Sequence, residues 1–279
     1  MEALFLKKTC YSNLLPLIVS IAGVVGFVLR LWTLGGGPEA EGLYAAAPVA
    51  WILLWILTAA VPVVTVILCR PLSETGKYLD NFPASPISAV GALLAALAIA
   101  ISSVGRLTDS QTTITFLAGV IGLLAAAGMG VVGYSRLKGR KPIFFCHAAV
   151  CLFFAFDVFD MCRAWSNETQ TGVFILSFLA RLSVMLAAYH LCAFDVDLGK
   201  RKPSLLWSLL SVYLCLVALA DAKDIWFYGG LALWLMTNLC SLRPIKKRRA
   251  TNTPAPNPVQ AQMSSNDVSI DELNSWLEE

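Results

Sequence analysis

The stretch "FFAFDVFDMCRAW", Phe153–Trp165, is as apolar as a membrane-spanning segment, yet it carries Asp157, Asp160 and Arg163. Apolar runs of about 20 residues recur along the 279-residue chain, which is 57% hydrophobic and only 14% charged. Soluble domains usually contain about 25% charged residues. This deficit and the recurring runs predict an all-α, polytopic membrane helix bundle whose immediate partner is the lipid bilayer.

The apolar runs predict about eight transmembrane helices. The first follows Lys7 and Lys8 and is too long for a typical signal-peptide core, so we expect an uncleaved helix. The seventh and eighth spans are short and are joined only by residues 221–224. The predicted spans are 13–33, 46–69, 87–104, 114–134, 142–165, 173–193, 204–220 and 225–242.

The placement of Lys and Arg predicts the orientation of these spans. With the N-terminus inside, the inner segments hold sixteen of these residues and the outer loops hold two, Arg106 and Lys223. Cytoplasmic loops carry such an excess of positive charge. Three tryptophans also fall at the outer boundary, as an aromatic belt would: Trp32, Trp165 and Trp226. We therefore expect a protein of the cytoplasmic (plasma) membrane with both termini in the cytoplasm.

The third and fourth spans are rich in small residues, which allow helix backbones to approach closely in a membrane. This pattern predicts that the two spans form a tightly packed pair. A pore-lining role for the glycines is the alternative. The small residues are Gly91, Ala95, Ala98, Ser102, Gly119, Gly122, Gly128, Gly130 and Gly133.

A weak internal repeat offers an alternative description of the bundle. The first span ends "FVLRLW", with Arg30 and Trp32, and the fifth ends "DMCRAW", with Arg163 and Trp165. Halves of four spans each would have parallel topology, related by an axis along the membrane normal. Boundary arginines and tryptophans also recur by chance, so a single bundle and two parallel four-helix repeats both stay open.

The composition changes after the last span and divides the chain into a bundle, 1–242, and a tail, 243–279. A basic juxtamembrane segment is followed by "ATNTPAPNPVQAQMSSND", whose polar, Pro-rich composition predicts disorder. The final "SIDELNSWLEE" has capping-box spacing at Ser269 and Glu272. A helix there would form an amphipathic docking peptide for a cytoplasmic protein partner, and an unstructured terminus is the alternative. Its apolar face would consist of Ile270, Leu273, Trp276 and Leu277.

The charges of the fifth and sixth spans are predicted to meet inside the bundle. Asp157 lies eight residues before Trp165, and Arg181 lies nine residues after Gly172 on the next, antiparallel span. Both therefore lie at a depth of about 12–14 Å, at ~1.5 Å per residue. An isolated charge at mid-membrane costs at least ~2.5–3.5 kcal/mol, so pairing is expected. Asp160 and Arg163 continue the stripe of Asp157 toward the outer headgroups.

Two functions are compatible with this intramembrane charged pocket, formed by Asp157, Asp160, Arg163 and Arg181. The pair could lock two helices in register, or the carboxylates could bind a cation, proton or polar solute. The second reading favours a small transporter-like or solute-binding protein. The alternative function is a non-catalytic membrane sensor or accessory subunit that recruits a cytoplasmic partner through its tail.

Two further groups of polar residues are weaker candidates for a metal-binding site. A set of His and Cys residues near the inner side has suitable zinc or copper ligands but neither C-x-x-C nor H-x-x-x-H spacing, so ordinary core residues are favoured. The set is Cys146, His147, Cys151, His190 and Cys192.

The acidic pair Asp195 and Asp197 precedes the basic run Lys200, Arg201 and Lys202. Magnesium binding is one interpretation of the pair, and a solvated loop is the favoured one. The sequence contains no Ser/His/Asp set, HExxH motif or P-loop, so it predicts no catalytic residues, metal or cofactor and favours a non-enzyme. The basic residues lie in short clusters between apolar runs and do not predict a nucleic-acid partner.

The topology can be tested with reporter fusions. Fusions after Ser85 and Lys141 should report the cytoplasm, because these positions follow the second and fourth spans. Fusions after Glu39 and Glu168 should report the outside. A fusion at Glu279 that reports the outside would contradict the even number of spans.

Overall fold

The computed structural model describes residues 2–34, 48–70, 76–109, 112–165, 171–221 and 224–243, and every regular element in these ranges is helical. This confirms the predicted all-α class, while the tail and its docking peptide lie outside the described residues. The elements are α1 (Glu2–Leu34), α2 (Pro48–Cys69), α3 (Tyr78–Asn81), α4 (Pro86–Thr108), α5 (Thr113–Lys138), α6 (Phe144–Trp165), α7 (Thr171–Asp195), α8 (Arg201–Ala218), a 3₁₀ turn (Leu219–Asp221) and α9 (Ile225–Cys240).

Large apolar side chains cover the outside of the helices. On α2, for example, Ile52, Ile56, Val63 and Ile67 are each more than half exposed. Exposed apolar surface on this scale is not stable in water and indicates contact with lipid. Seven helices, α1, α2 and α4–α8, also have the length and apolarity needed to cross a membrane. The protein is therefore a multi-pass membrane protein.

The eighth predicted span, α9, is shorter than the others. Its 16 residues extend about 24 Å at ~1.5 Å per residue, less than the ~30 Å of a bilayer's hydrocarbon layer. It packs against α4 and α8, and Leu231, Trp234 and Leu235 are at most 1% exposed. Since neighbouring helices rather than lipid surround much of α9, it need not match the full bilayer thickness.

The packing order of the helices brings distant parts of the chain together. Helices α4 to α9 form a closed circuit in which each packs against the next and α9 returns to α4. Helices α1 and α2 pack against each other and against α8. The first four long helices therefore pack differently from the last four, and the four-plus-four repeat stays a prediction of the sequence.

Close helix contacts occur where the sequence has small residues. A Cβ atom at Gly133 of α5 would lie 3.2 Å from the Ala89 carbonyl oxygen of α4, which confirms the tight packing predicted for this pair. A Cβ at Gly230 of α9 would lie 2.6 Å from the Ala98 Cβ and 3.2 Å from the Leu94 carbonyl oxygen. Helix α4 is thus held between two neighbours at near-backbone contact.

Residues 76–85, the described part of the connection between α2 and α4 that precedes α4, fold onto the end of the bundle. Tyr78 and Asn81 of the short helix α3 are buried, and so is the following residue, Phe82. All three are at most 3% exposed. The backbone N–H of Ser85 donates to the Arg136 carbonyl oxygen at 3.1 Å, and the Ser85 hydroxyl caps α4 by accepting from the Ser88 N–H. This segment closes the end of the bundle to which the sequence assigns the cytoplasmic side.

The close approach of α9 to α4 can be tested with a matched pair of glycine substitutions. Gly230→Ala should destabilise the protein by about 1–3 kcal/mol, because the new methyl overlaps Ala98. Gly130→Ala has no heavy atom within 4 Å of its Cβ and should be neutral or stabilising. Unfolding in detergent measures both, and equal effects would contradict the packing.

Candidate functional site: an intramembrane charge network

The predicted contact between the fifth and sixth spans is present. Arg181 Nη1 on α7 donates to Asp157 Oδ1 on α6 at 2.8 Å. Asp157 is 1% exposed and Arg181 is 9% exposed, so the pair lies inside the bundle. The antiparallel course of α6 and α7 places the two residues at one depth, as their distances from the helix ends predict.

A second arginine, Arg106, also donates to Asp157 Oδ1. The sequence places Arg106 in an outer loop, because the third span was expected to end at residue 104. Helix α4 instead continues to Thr108, so Arg106 lies in its last turn and faces the interior. One carboxylate oxygen therefore joins α4, α6 and α7.

Arg181 is also held by the start of α9. Its Nη2 donates to Asp224 Oδ2 at 2.7 Å, and its Nε donates to the Tyr228 hydroxyl at 2.9 Å. Its guanidinium lies over the Phe227 ring, 5.5 Å from the centroid. All three guanidinium nitrogens of Arg181 thus have partners, two of which come from the hairpin that the sequence left least certain.

Asp160 lies nearer the outer end of the network, as predicted. It accepts from the Thr115 hydroxyl of α5 at 3.1 Å and lies 3.9 Å from Arg106 Nη1. Its side chain is 24% exposed. Arg163, the fourth predicted residue, is exposed on the last turn of α6. The structure thus brings Asp157, Asp160 and Arg181 into one network.

A neighbouring ion pair attaches α1 to the same end of the bundle. Arg30 donates from Nε and Nη2 to Asp221 Oδ1, both at 3.2 Å, and Ser177 of α7 donates to the other oxygen. Arg30 is 1% exposed. Sequence reasoning identified it as an arginine within a span but did not find Asp221, which follows α8.

At the opposite end, the structure corrects the solvated-loop interpretation of Asp195. Asp195 is the last residue of α7 and is 3% exposed, and its Oδ2 lies 2.6 Å from His147 Nδ1. Asp197, two residues later, is exposed. It accepts from Lys141 Nζ at 2.6 Å and from the Tyr78 backbone N–H at 2.8 Å, and these hydrogen bonds lower its pKa. The two aspartates therefore lie in different environments.

The His and Cys residues of this end do not assemble into a ligand set. Within the described ranges, no group of three or more His, Cys, Asp or Glu side chains is placed to hold a metal ion. His147 contacts Asp195 and stacks on Trp234 with ring centroids 6.3 Å apart. Its surroundings are those of a buried structural histidine.

Comparison with known proteins adds no relative. No protein-family model matches the chain, and neither a curated protein nor a solved structure is significantly similar to it. The fold and the charges establish the class, a multi-pass membrane protein with a buried charge network.

The network can be tested with a double-mutant cycle. Asp157→Ala and Arg181→Leu should each lower the free energy of unfolding by less than the ~3–5 kcal/mol typical of breaking an exclusive buried pair. After either substitution, the residue that is left behind still has another partner of opposite charge. Their coupling energy should be about 0.5–3 kcal/mol. Unfolding with SDS in mixed micelles would measure it.

A control cycle combines Asp157→Ala with Lys141→Ala, whose partner Asp197 lies at the other end of the bundle. These two effects should add. Additivity in the Asp157–Arg181 cycle as well would show that this contact does not contribute to stability.

Proposed function

We propose that the protein is a small transporter-like protein of the cytoplasmic membrane, with both termini in the cytoplasm, in which Asp157 exchanges a proton or small cation. The sixteen-to-two distribution of Lys and Arg supports this orientation. The charge network then lies in the outer half of the membrane, and ionisable residues inside a membrane commonly line ion or solute pathways.

The different hydrogen bonding of the two Asp157 carboxylate oxygens is the main observation that supports this proposal. Oδ1 accepts hydrogen bonds from two arginines, whereas Oδ2 is buried and has no hydrogen-bond partner among the described residues. Leaving a buried polar atom unpaired costs about 1–3 kcal/mol, and more for a charged group. A cation on Oδ2 would remove that cost, and a proton there would remove the buried charge.

The arrangement of the arginines would allow Asp157 to lose its charge. Arg106 has Asp160 within 3.9 Å, and Arg181 has Asp224 at 2.7 Å. Neutralising Asp157 therefore leaves each arginine next to another carboxylate. It also weakens the contacts of α6 with α4 and α7 at once, which supports a role for Asp157 in controlling the relative positions of these helices.

The exposure of the carboxylates supports access from the outer end. The side chain of Asp224 is 43% exposed, that of Asp160 is 24% exposed, and that of Asp157 is 1% exposed. Protons and cations approach a buried carboxylate readily through such a graded series of polar groups. The transported solute would be cationic or coupled to protons.

The alternative role, recruitment of a cytoplasmic partner, depends on Ile270, Leu273, Trp276 and Leu277. These residues lie outside the described ranges, so this role stays a prediction of the sequence.

Proton exchange at Asp157 can be measured directly. Infrared difference spectra of the reconstituted protein, recorded with and without an imposed proton gradient, should contain a carboxyl band that Asp157→Asn removes. Proteoliposomes with an internal pH dye should take up protons under an imposed potassium diffusion potential. We expect Asp157→Asn and Asp160→Asn to lower this uptake several-fold, by analogy with intramembrane carboxylates in proton relays.

Asp109→Asn is the matched control, because Asp109 is exposed just after α4 and the substitution removes the same charge. It should leave both the band and the uptake unchanged. If wild-type liposomes take up no more protons than protein-free liposomes and the band is absent, the network serves as a structural lock.

A further inference from the structure

The inner end of the bundle contains two buried arginines that form no salt bridge with the described residues. Arg136 is 2% exposed and Arg201 is 3% exposed, yet neither is within salt-bridge distance of an acidic group of the described residues. Arg30, Arg106 and Arg181 at the outer end each contact an aspartate. Burying a cation without a counter-charge is costly, so this difference requires a physical reason.

Neutral groups hold the guanidinium of Arg136. Nη2 donates to Asn238 Oδ1 at 2.7 Å. The group lies 4.0 Å from the centroid of the Phe82 ring and 5.1 Å from that of Tyr78. Nε and Nη1 have no hydrogen-bond partner within the described part of the chain. These rings stabilise the positive charge, but two N–H groups remain available.

Arg201 is held in the same way. Nη1 donates to Asn81 Oδ1 at 3.4 Å, Nη2 donates to the Arg243 carbonyl oxygen at 2.8 Å, and Nε has no partner among the described residues. Arg201 is the first residue of α8, and the Lys200 side chain does not cap this helix. The N-terminus of a long helix adds partial positive charge at this point.

The segment containing α3 lies against both arginines. Phe82 contacts Arg136, and the adjacent Asn81 contacts Arg201. A small cavity of about 10 Å³ is lined by Phe82, Asn238 and, from the first turns of α8, Ser204 and Ser208. This volume is about that of one water position.

Tyr78 supplies another donor at this end. Its hydroxyl is buried and has no partner within the described ranges. Burial raises the pKa of Tyr78 to about 12, so its O–H stays protonated at neutral pH. Asp195 contacts His147 through Oδ2 and attracts Arg136 electrostatically, while its buried Oδ1 has no hydrogen-bond partner among the described residues. Asp197 contacts Lys141. The unpaired donors of Arg136, Arg201 and Tyr78 outnumber this one unpaired carboxylate oxygen, which leaves donors available for an added anion.

We propose that Arg136 and Arg201, with the Tyr78 hydroxyl, form a binding site for an oxyanion of the phosphate, sulfate or carboxylate class. The anion is either free or the phosphate of an anionic lipid headgroup. Arginine N–H groups make strong, directional bonds to such oxygens. The site is at the opposite end of the bundle from Asp157 and does not depend on the proposed transport function. None of these three residues lines the small cavity beside Phe82, so binding requires the segment Tyr78–Phe82, which lies against both arginines, to move.

Two arms of one experiment distinguish the sources of the anion. In the first arm, the full-length protein in a neutral detergent is titrated with inorganic phosphate or sulfate at constant ionic strength, with chloride as the reference. In the second arm, nanodiscs of phosphatidylcholine are compared with nanodiscs that also contain phosphatidylglycerol. Ligand binding to the folded state raises the melting temperature, and the dependence of this increase on ligand concentration yields an apparent Kd.

Wild type should be stabilised in at least one arm. Arg136→Gln and Arg201→Gln should weaken the apparent affinity by about tenfold or more, since each removes a charge-assisted hydrogen bond. Arg136→Lys keeps the charge but loses the paired N–H groups, so it should also weaken binding. This variant replaces Arg136→Gln in the test if Arg136→Gln does not fold. Stabilisation by phosphate in detergent identifies a free anion, and stabilisation only by phosphatidylglycerol identifies a lipid headgroup.

Arg140→Gln is the matched control, because Arg140 is exposed at the same end and the substitution removes the same charge. It should bind like wild type. The proposal is overturned if wild type is stabilised in neither arm, or if the Arg136 and Arg201 variants bind like wild type. It is also overturned if Arg140→Gln weakens binding equally, which would indicate diffuse surface charge.

Discussion

The Asp157 carboxylate pairs with two arginines, and the packing of four helices at one end of the bundle depends on this contact. A charged side chain placed in lipid costs at least ~2.5–3.5 kcal/mol, so each charge needs a partner within the protein. Oδ1 of Asp157 meets this need for Arg106 of α4 and Arg181 of α7 together. Arg181 extends the connection to α9 through Asp224 and Tyr228. Four helices are therefore held at one point, and none can slide along its axis without exposing a charge.

The two ends of the bundle use different physical means to bury arginine. At the end that contains Asp157, aspartates neutralise Arg30, Arg106 and Arg181. At the opposite end, an amide and aromatic rings hold Arg136, and amide and carbonyl oxygens hold Arg201. A neutralised pair mainly resists separation, whereas a guanidinium with free N–H groups retains the capacity to bind an anion. Because of this difference, we propose exchange of a proton or cation at one end and anion binding at the other.

An apolar layer separates the two ends. Phe153 and Phe154 lie one turn from Asp157 on α6, are 0% exposed, and pack against Phe227 of α9 with ring centroids 6.3 and 5.9 Å apart. Such a layer excludes water and keeps the network of Asp157 apart from the inner polar groups in this conformation. Any transport through the bundle requires these rings to move, and both helices that carry them, α6 and α9, also take part in the charge network.

Features that depend on local composition and spacing could be predicted before the structure was known. Apolar runs identified the long helices, and the rise of an α-helix placed Asp157 and Arg181 at one depth because α6 and α7 are consecutive and antiparallel. Which distant helices become neighbours depends on tertiary packing, which local patterns do not reveal. Arg106 reaches Asp157 because α4 continues one turn beyond its expected end and lies in the same circuit of helices.

The same reason explains why Asp195 is buried with His147, and why Arg136 and Arg201 lie against α3. Hydropathy and helical period describe one segment at a time, whereas these contacts join residues 42 or more positions apart, across helices whose order around the bundle the sequence does not display.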